Sequence, residues 1–170
     1  MQTQVHNILS IVLETKYIGV AIFHDSDLRD WYVKSIKGNT FSSKRSYLTR
    51  YLYNLIERRN PDILVIKKLH PAHSSSTLRK LNTSLQLIGR KKHLAILEYP
   101  ITYVEHSLLS GKANKKLLTE EVSKIYPIIN HDYERDKKNK SRYLTRMFEA
   151  IAMGIVCIQS LDKKQKNQIT

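Results

Sequence analysis

The chain has 170 residues, with 29 Lys and Arg against 15 Asp and Glu, and its formal net charge is +14. This length suits one compact domain, and the excess of cations indicates a polyanionic partner. Its single cysteine excludes a disulfide framework and a multi-cysteine zinc site, and no apolar stretch has the length of a membrane span. Because no secretory signal precedes the first apolar run, a soluble cytoplasmic protein is expected.

Positive charge is concentrated after residue 33. Residues 1–33 hold four acids and two bases, so the remainder holds 27 of the bases and only 11 of the acids. The bases gather in five clusters, at residues 67–68, 79–80, 90–92, 112–116 and 135–146. One such cluster is usually a solvated surface, but five of them predict a surface that contacts phosphates with salt-sensitive affinity. A membrane surface fits less well, because no basic amphipathic segment carries Trp or Phe on its apolar side.

Apolar runs rich in β-branched residues predict strands at residues 7–13, 17–23, 31–36, 63–66 and 93–98. A short hairpin connection joins the first two. Ser42 and Ser43 are candidate caps for a helix of regular apolar spacing that ends before Asn60 and Pro61. Residues 74–76 are candidate caps for a second helix, which precedes the fifth strand.

Three further helices are predicted after the fifth strand. Pro100 opens a short helix, and residues 117–126 form the next one, which Pro127 closes. A long apolar stripe from Leu144 to Ile155 marks the last helix. Three strands followed by strands that alternate with helices predict a mixed sheet covered by helices, which is an α/β fold.

Two polar segments are predicted to lack regular structure. The basic residues 130–142 are expected to form an exposed loop, with residues 131–142 as a candidate disordered arm that follows phosphates. Residues 162–170 are expected to be a frayed basic tail. A single domain is therefore predicted over residues 1–161.

Five motifs occur in an informative order. They are ILSI…GVAI in the first hairpin, PDILVI on the fourth strand, EY at the end of the fifth strand, SGKANK before a helix and FEAIAMG on the last helix. Together they resemble the RuvC-type Holliday junction resolvases, a branch of the ribonuclease-H-like nucleases. The resemblance implies a ribonuclease-H-like domain with a five-stranded mixed sheet and helices on both faces.

The resemblance also implies where catalytic acids would lie. The family cleaves phosphodiesters with two metal ions held by four carboxylates, one on the first strand, one at the end of the fourth and two on the last helix. At those positions this chain has Val12, Lys67, Arg146 and Glu149, so three of the four carboxylates are absent. Glu14 lies two residues beyond Val12, on the same face of the strand, and is the nearest other acid.

These substitutions favour a catalytically degenerate relative that binds branched or duplex DNA without cutting it, and that needs no metal and no cofactor. Fixed cations would then lie where a phosphate binds. The candidate nucleic-acid-binding residues are Lys67, Lys68, Lys112, Lys115, Lys116, Arg142 and Arg146.

Two alternatives remain open beside this interpretation. One is an active, Mg²⁺-dependent junction endonuclease that uses Glu14 and Glu149. The other is an RNA- or ribosome-associated structural protein, since basicity does not distinguish one polyanion from another, although DNA is favoured. By analogy with the resolvases, the resemblance also implies a homodimer, whose two-fold symmetry would match that of a junction.

Several other reactive or aromatic residues have simpler interpretations. His70 and His73 are a close pair without a nearby Cys or acid to complete a metal site, so a structural or solvated role is expected. Cys157 falls on the apolar part of the last helix and is expected to pack in the core. The tyrosines at positions 47, 51 and 53 could stack on bases, but a helix packed on a sheet requires such side chains as well.

Overall fold

A computed structural model of the chain describes residues 5–139 and 143–167. The strands are β1 (Asn7–Leu13), β2 (Tyr17–His24), β3 (Asp27–Ser35), β4 (Ile63–Lys67) and β5 (Ala95–Tyr99). The α-helices are α1 (Phe41–Arg59), α2 (Ser76–Lys91), α3 (Ile101–Leu108), α4 (Lys115–Ile125), α5 (Asn130–Lys138) and α6 (Thr145–Asn167).

The five strands form one mixed sheet in the order β3-β2-β1-β4-β5. β1, β2 and β3 form an antiparallel meander, whereas β4 lies parallel to β1, and β5 parallel to β4. Ile11 of β1 lies opposite Ile66 of β4, and Val12 and Lys67 directly follow these two partners. The carboxyl ends of β1 and β4 therefore meet at one edge of the sheet.

Helices cover both faces of the sheet, as predicted. Alternate residues of β1 point to opposite faces, so Leu9 and Ile11 pack toward α1 and α2, whereas Ile8 and Val12 pack toward α3, α4 and α6. The two apolar clusters are separate, with the sheet between them. This confirms an α/β fold with a five-stranded mixed sheet between two helical layers.

The last helix, α6, approaches the sheet unusually closely. A Cβ atom at Gly19 would collide with the Arg146 backbone, and one at Gly154 would collide with the Phe23 ring. The buried Ser10 hydroxyl donates a hydrogen bond to the Ala150 carbonyl over 2.6 Å. Because glycines permit the approach and this bond fixes it, α6 holds a defined position above β1 and β2.

Two strands begin at other residues than predicted. β3 begins at Asp27, which pairs with His24, so the preceding reversal is only a two-residue turn. Asp25 in that turn has a φ of 53°, a left-handed conformation that short Asp side chains tolerate. β5 begins at Ala95, two residues later than predicted, because the turn after α2 places His93 at a φ of 56°.

The first helix begins earlier than its predicted caps. Thr40, rather than Ser42 or Ser43, is the N-cap of α1, and its hydroxyl accepts from the Ser43 amide over 3.1 Å. The Ser43 hydroxyl accepts in return from the Thr40 amide over 3.1 Å, which completes a capping box. The N-cap of α2 is Ser75, within the predicted segment.

The expected loop over residues 130–142 is wrong for most of its length, because Asn130–Lys138 is helical. This helix, α5, has no fully buried residue, so no apolar period revealed it. It is anchored instead by a hydrogen bond that the Trp31 indole donates to the Asp132 carboxylate over 2.8 Å. The candidate disordered arm is therefore an ordered helix as far as residue 138.

The expected frayed tail is also helical in its described part, because α6 continues to Asn167. None of the helices within residues 5–139 and 143–167 combines the length and apolar character that a membrane crossing needs.

Candidate nucleic-acid interface

The candidate site lies where β1 and β4 end beneath α6. Val12, which the resemblance aligns with the carboxylate of the first strand, is fully buried in the apolar cluster on the α6 side of the sheet. Lys67 is the last residue of β4, and its side chain is only 15% exposed. Its ammonium donates a hydrogen bond to the Glu149 carboxylate on α6, with 2.9 Å between Nζ and Oε2.

Glu149, at one of the positions where the resemblance implies a carboxylate, is contacted by two lysines. Its side chain is 3% exposed, and its Oε1 lies 3.1 Å from Nζ of Lys115, the first residue of α4. The Lys115 side chain is 52% exposed, so this lysine also faces solvent. One buried carboxylate between two ammonium groups leaves the cluster with one surplus positive charge.

Arg146 lies one turn before Glu149 on α6 and contributes to an aromatic cluster. Its guanidinium carbon lies 5.6 Å from the centre of the Tyr17 ring, within the range of a cation–π contact. Tyr17 also packs edge-to-face against Tyr143, with 5.1 Å between the ring centres. Arg146, which the resemblance aligns with a carboxylate of the last helix, thus rests on a tyrosine at the start of β2.

A cleft of about 460 Å³ opens beside this cluster. Glu14, Lys67, Lys68 and Lys115 line it, together with side chains from the segment after β4 and from the start of α3. Glu14 follows β1 directly, and its amide donates to the Tyr17 carbonyl over 2.9 Å, which closes the first hairpin. The cleft therefore combines three lysines with one acid.

The donor set does not fit the two metal ions that the family uses. Within residues 5–139 and 143–167, no group of three or more His, Cys, Asp or Glu side chains is placed to hold a metal ion. Glu149 is already held by the ammonium groups of Lys67 and Lys115. A metal ion would have to displace two ammonium groups to reach the Glu149 carboxylate. Val12, Lys67 and Arg146, at the other positions that the resemblance implies, carry no carboxylate of the kind that Mg²⁺ prefers.

No protein-family model matches the chain, and no curated protein matches its sequence. Solved structures of low sequence identity do match its fold. The Thermus thermophilus RuvC in complex with a Holliday junction substrate superposes with a TM-score of 0.68 at 10% identity, over 94% of this chain and 96% of that chain. The fold is that of the RuvC resolvases.

Two further resolvase structures give the same result. A yeast mitochondrial Holliday junction resolvase has a TM-score of 0.65 at 15% identity, over 94% of this chain and 81% of that chain. A Fowlpox virus resolvase, in complex with Holliday junction DNA, has a TM-score of 0.56 at 16% identity, over 91% of this chain and 98% of that chain. The ribonuclease-H-like, RuvC-like fold expected from the motifs is thereby confirmed.

Two further candidate residues, Lys112 and Lys116, do not line this cleft. Lys112 is exposed on the turn that contains Gly111, just before α4. Lys116 is also exposed and lies beside Lys115 at the start of α4. Arg142 lies outside the described residues. The fold therefore brings Lys67, Lys68 and Lys115 into one cleft and leaves Lys112 and Lys116 exposed outside its lining.

Sequence reasoning missed the contact between Lys115 and Glu149. The sequence analysis placed Lys115 in the segment before a helix that it expected to begin at residue 117. Asn114 is the N-cap of α4, and its side chain accepts from the Leu117 amide over 2.9 Å. The pattern Asn-Lys-Lys-Leu contained this signal, since Asn is a favoured N-cap.

The structure confirms that Cys157 packs in the core, and it gives the contacts of the histidine pair and of the α1 tyrosines. The His70 ring accepts from the Ala72 amide over 3.2 Å and packs 4.6 Å from the His73 ring, so this pair shapes the turn after β4. Cys157 is fully buried, and burial raises the pKa of its thiol to about 11. The tyrosines of α1 are partly buried against the apolar cluster beneath that helix, at positions 47, 51 and 53.

Proposed function

We propose that this chain binds branched or duplex DNA, of the Holliday-junction type, and does not cut it. The observation that carries the proposal is the cluster in which Lys67 and Lys115 hold the buried Glu149 carboxylate. Resolvases need several free carboxylates at this place, and here two lysines hold the Glu149 carboxylate. Two of the similar resolvase structures, from Thermus thermophilus and Fowlpox virus, are complexes with Holliday junction DNA, which favours DNA as the ligand.

The cationic cleft can bind a phosphodiester without activating water. An ammonium group attracts a phosphate by charge and hydrogen bonding, and Lys67, Lys68 and Lys115 supply three of them in one cleft. Cleavage by this family needs a metal-bound hydroxide as nucleophile, which lysine does not generate. The distribution of charge along the chain also favours phosphate binding, because most of the 29 basic residues lie after residue 33.

The first experiment measures binding and cleavage with the same substrates. Purified full-length chain is titrated into a labelled four-way junction, a linear duplex, a single strand and a structured RNA, in EDTA and at several salt concentrations. Each is then incubated with Mg²⁺ or Mn²⁺ and examined for nicks. We expect the junction or duplex to bind most tightly, with affinity that falls steeply with salt, and all four substrates to remain intact.

The remaining outcomes separate the alternatives. Nicking of the junction that Glu149→Ala abolishes would establish the metal-dependent endonuclease that uses Glu14 and Glu149, and would overturn our proposal. Stronger binding to the structured RNA would instead establish the RNA-associated alternative. Light scattering of the free and DNA-bound chain tests the homodimer that the resemblance implies.

A further inference from the structure

A second cleft, of about 480 Å³, lies between α4, α5 and the start of α6. Its lining includes Lys115 and Lys116 from α4, Tyr133, Asp136 and Lys137 from α5, and Thr145 from α6. Lys115 also lines the first cleft, so the two clefts share one cationic wall. The proposed function makes no use of the second cleft.

The cations of this cleft are available to an anion. Within the described part of the chain, Lys116 and Lys137 form no ion pair with a carboxylate. The Lys137 ammonium lies 5.5 Å from the centre of the Tyr133 ring, which positions it beside the cleft. Thr145 begins α6, a helix of 23 residues, and a long helix favours negative charge near its first residues.

The Asp136 carboxylate is a feature of this cleft that the binding of a phosphate would not satisfy. Its Oδ1 atom is buried and has no hydrogen-bond partner, although it lies in a cleft lined by three lysines. Burial raises the pKa of this carboxyl above its ordinary value. A buried acceptor without a donor is costly, and a ligand with an N–H or O–H group would remove that cost.

We propose that the second cleft binds one unpaired nucleotide of the nucleic acid, with its phosphate on Lys116 and Lys137 and a hydrogen-bond donor of its base or sugar on Asp136. The proposal rests on the proposed function, because it assumes a nucleic-acid ligand. A nucleotide is the chemical class that carries an anion and a nearby donor together. The donor has two possible sources, a base N–H group or a ribose 2′-hydroxyl.

The experiment compares three fluorescein-labelled single strands of about eight nucleotides, a length within known single-strand site sizes. Oligothymidylate carries a base donor, an abasic deoxyribose strand that also lacks the 1′-hydroxyl carries neither donor, and an abasic ribose strand that lacks the 1′-hydroxyl carries only the 2′-hydroxyl. Full-length wild type, Asp136→Leu and Asp136→Asn are titrated with each strand by fluorescence anisotropy. Circular dichroism confirms that each variant is folded.

We expect wild type to prefer at least one donor-bearing strand over the abasic deoxyribose strand by about tenfold. Asp136→Leu removes the acceptor and should abolish that preference, whereas Asp136→Asn keeps an oxygen acceptor and should retain most of it. The strand that is preferred identifies the donor. Lys137→Gln should reduce the slope of log affinity against log salt concentration by about 0.7 for all three strands.

A purely electrostatic effect of Asp136→Leu would be an increase in affinity, rather than the loss of preference for a donor-bearing strand. Removing a negative charge from a merely basic surface tightens the binding of every polyanion, with or without a donor. That result, or equal affinity of wild type for all three strands, would overturn the second cleft as a nucleotide site. Junction affinity is measured in parallel, so loss of the proposed function is detected independently of the single-strand result.

Discussion

Replacing Glu149 by Gln tests whether this carboxylate restrains the two lysines that we assign to DNA binding. The Glu149 oxygens lie 2.9 Å from Lys67 Nζ and 3.1 Å from Lys115 Nζ. At an effective dielectric constant of about 20, each contact contributes a gross attraction of about 5 kcal/mol, which the desolvation of the charges largely offsets. Removing one partner of a buried ion pair usually costs about 3–5 kcal/mol.

The expected cost for Glu149→Gln is smaller, because one lysine can leave the site. The Lys115 side chain is 52% exposed and can turn to solvent, whereas Lys67, at 15%, stays close to the amide that replaces the carboxylate. We therefore expect a loss of about 2–3 kcal/mol in the free energy of unfolding. For a chain of this size, that loss lowers Tm by about 5–10 °C.

The same substitution should strengthen DNA binding, since it frees two ammonium groups. We expect tighter binding to a four-way junction and a log–log salt slope that steepens by about 1 to 2. The matched control is Glu57→Gln on α1, which removes the same charge from a residue that is 64% exposed and pairs with Lys92 on the opposite face of the sheet. An unchanged junction affinity and salt slope, or an effect equal to that of Glu57→Gln, would refute the reasoning.

Three further predictions concern single positions. Lys67→Glu places a second carboxylate against Glu149, so it should lower Tm in EDTA, and added Mn²⁺ should raise Tm again. If Mn²⁺ does not change Tm in thermal denaturation, the placement of these two residues is contradicted. Gly154→Ala should cost about 1–3 kcal/mol in denaturant unfolding, because its Cβ meets the Phe23 ring; an unchanged midpoint would count against the close approach of α6. Cys157, with a pKa of about 11, should resist iodoacetamide at pH 8 in the folded chain and react once urea unfolds the chain. Alkylation of Cys157 in the folded chain would contradict its burial.

Much of the fold could be predicted from local sequence patterns. Apolar runs of the right length indicated all five strands, and helical spacing indicated the helices that pack on the sheet. Helix α5 was not predicted, because its contacts are made by polar side chains, such as the hydrogen bond between Trp31 and Asp132. Such contacts produce no regular spacing of apolar residues in the sequence. The start of α1 differed for a related reason, since both Thr40 and the serines that follow are acceptable caps.

The candidate site could be predicted from the sequence to a smaller extent than the fold. The sequence by itself determined that the chain is basic and that it is built as an α/β domain. The resemblance aligned Val12, Lys67 and Arg146 with positions where the family has carboxylates. Only the folded chain brought Lys115, at the start of α4, into contact with Glu149 on α6 beside Lys67. Residue periodicity reports which face of an element is buried, whereas ion pairs between distant elements depend on how those elements cross.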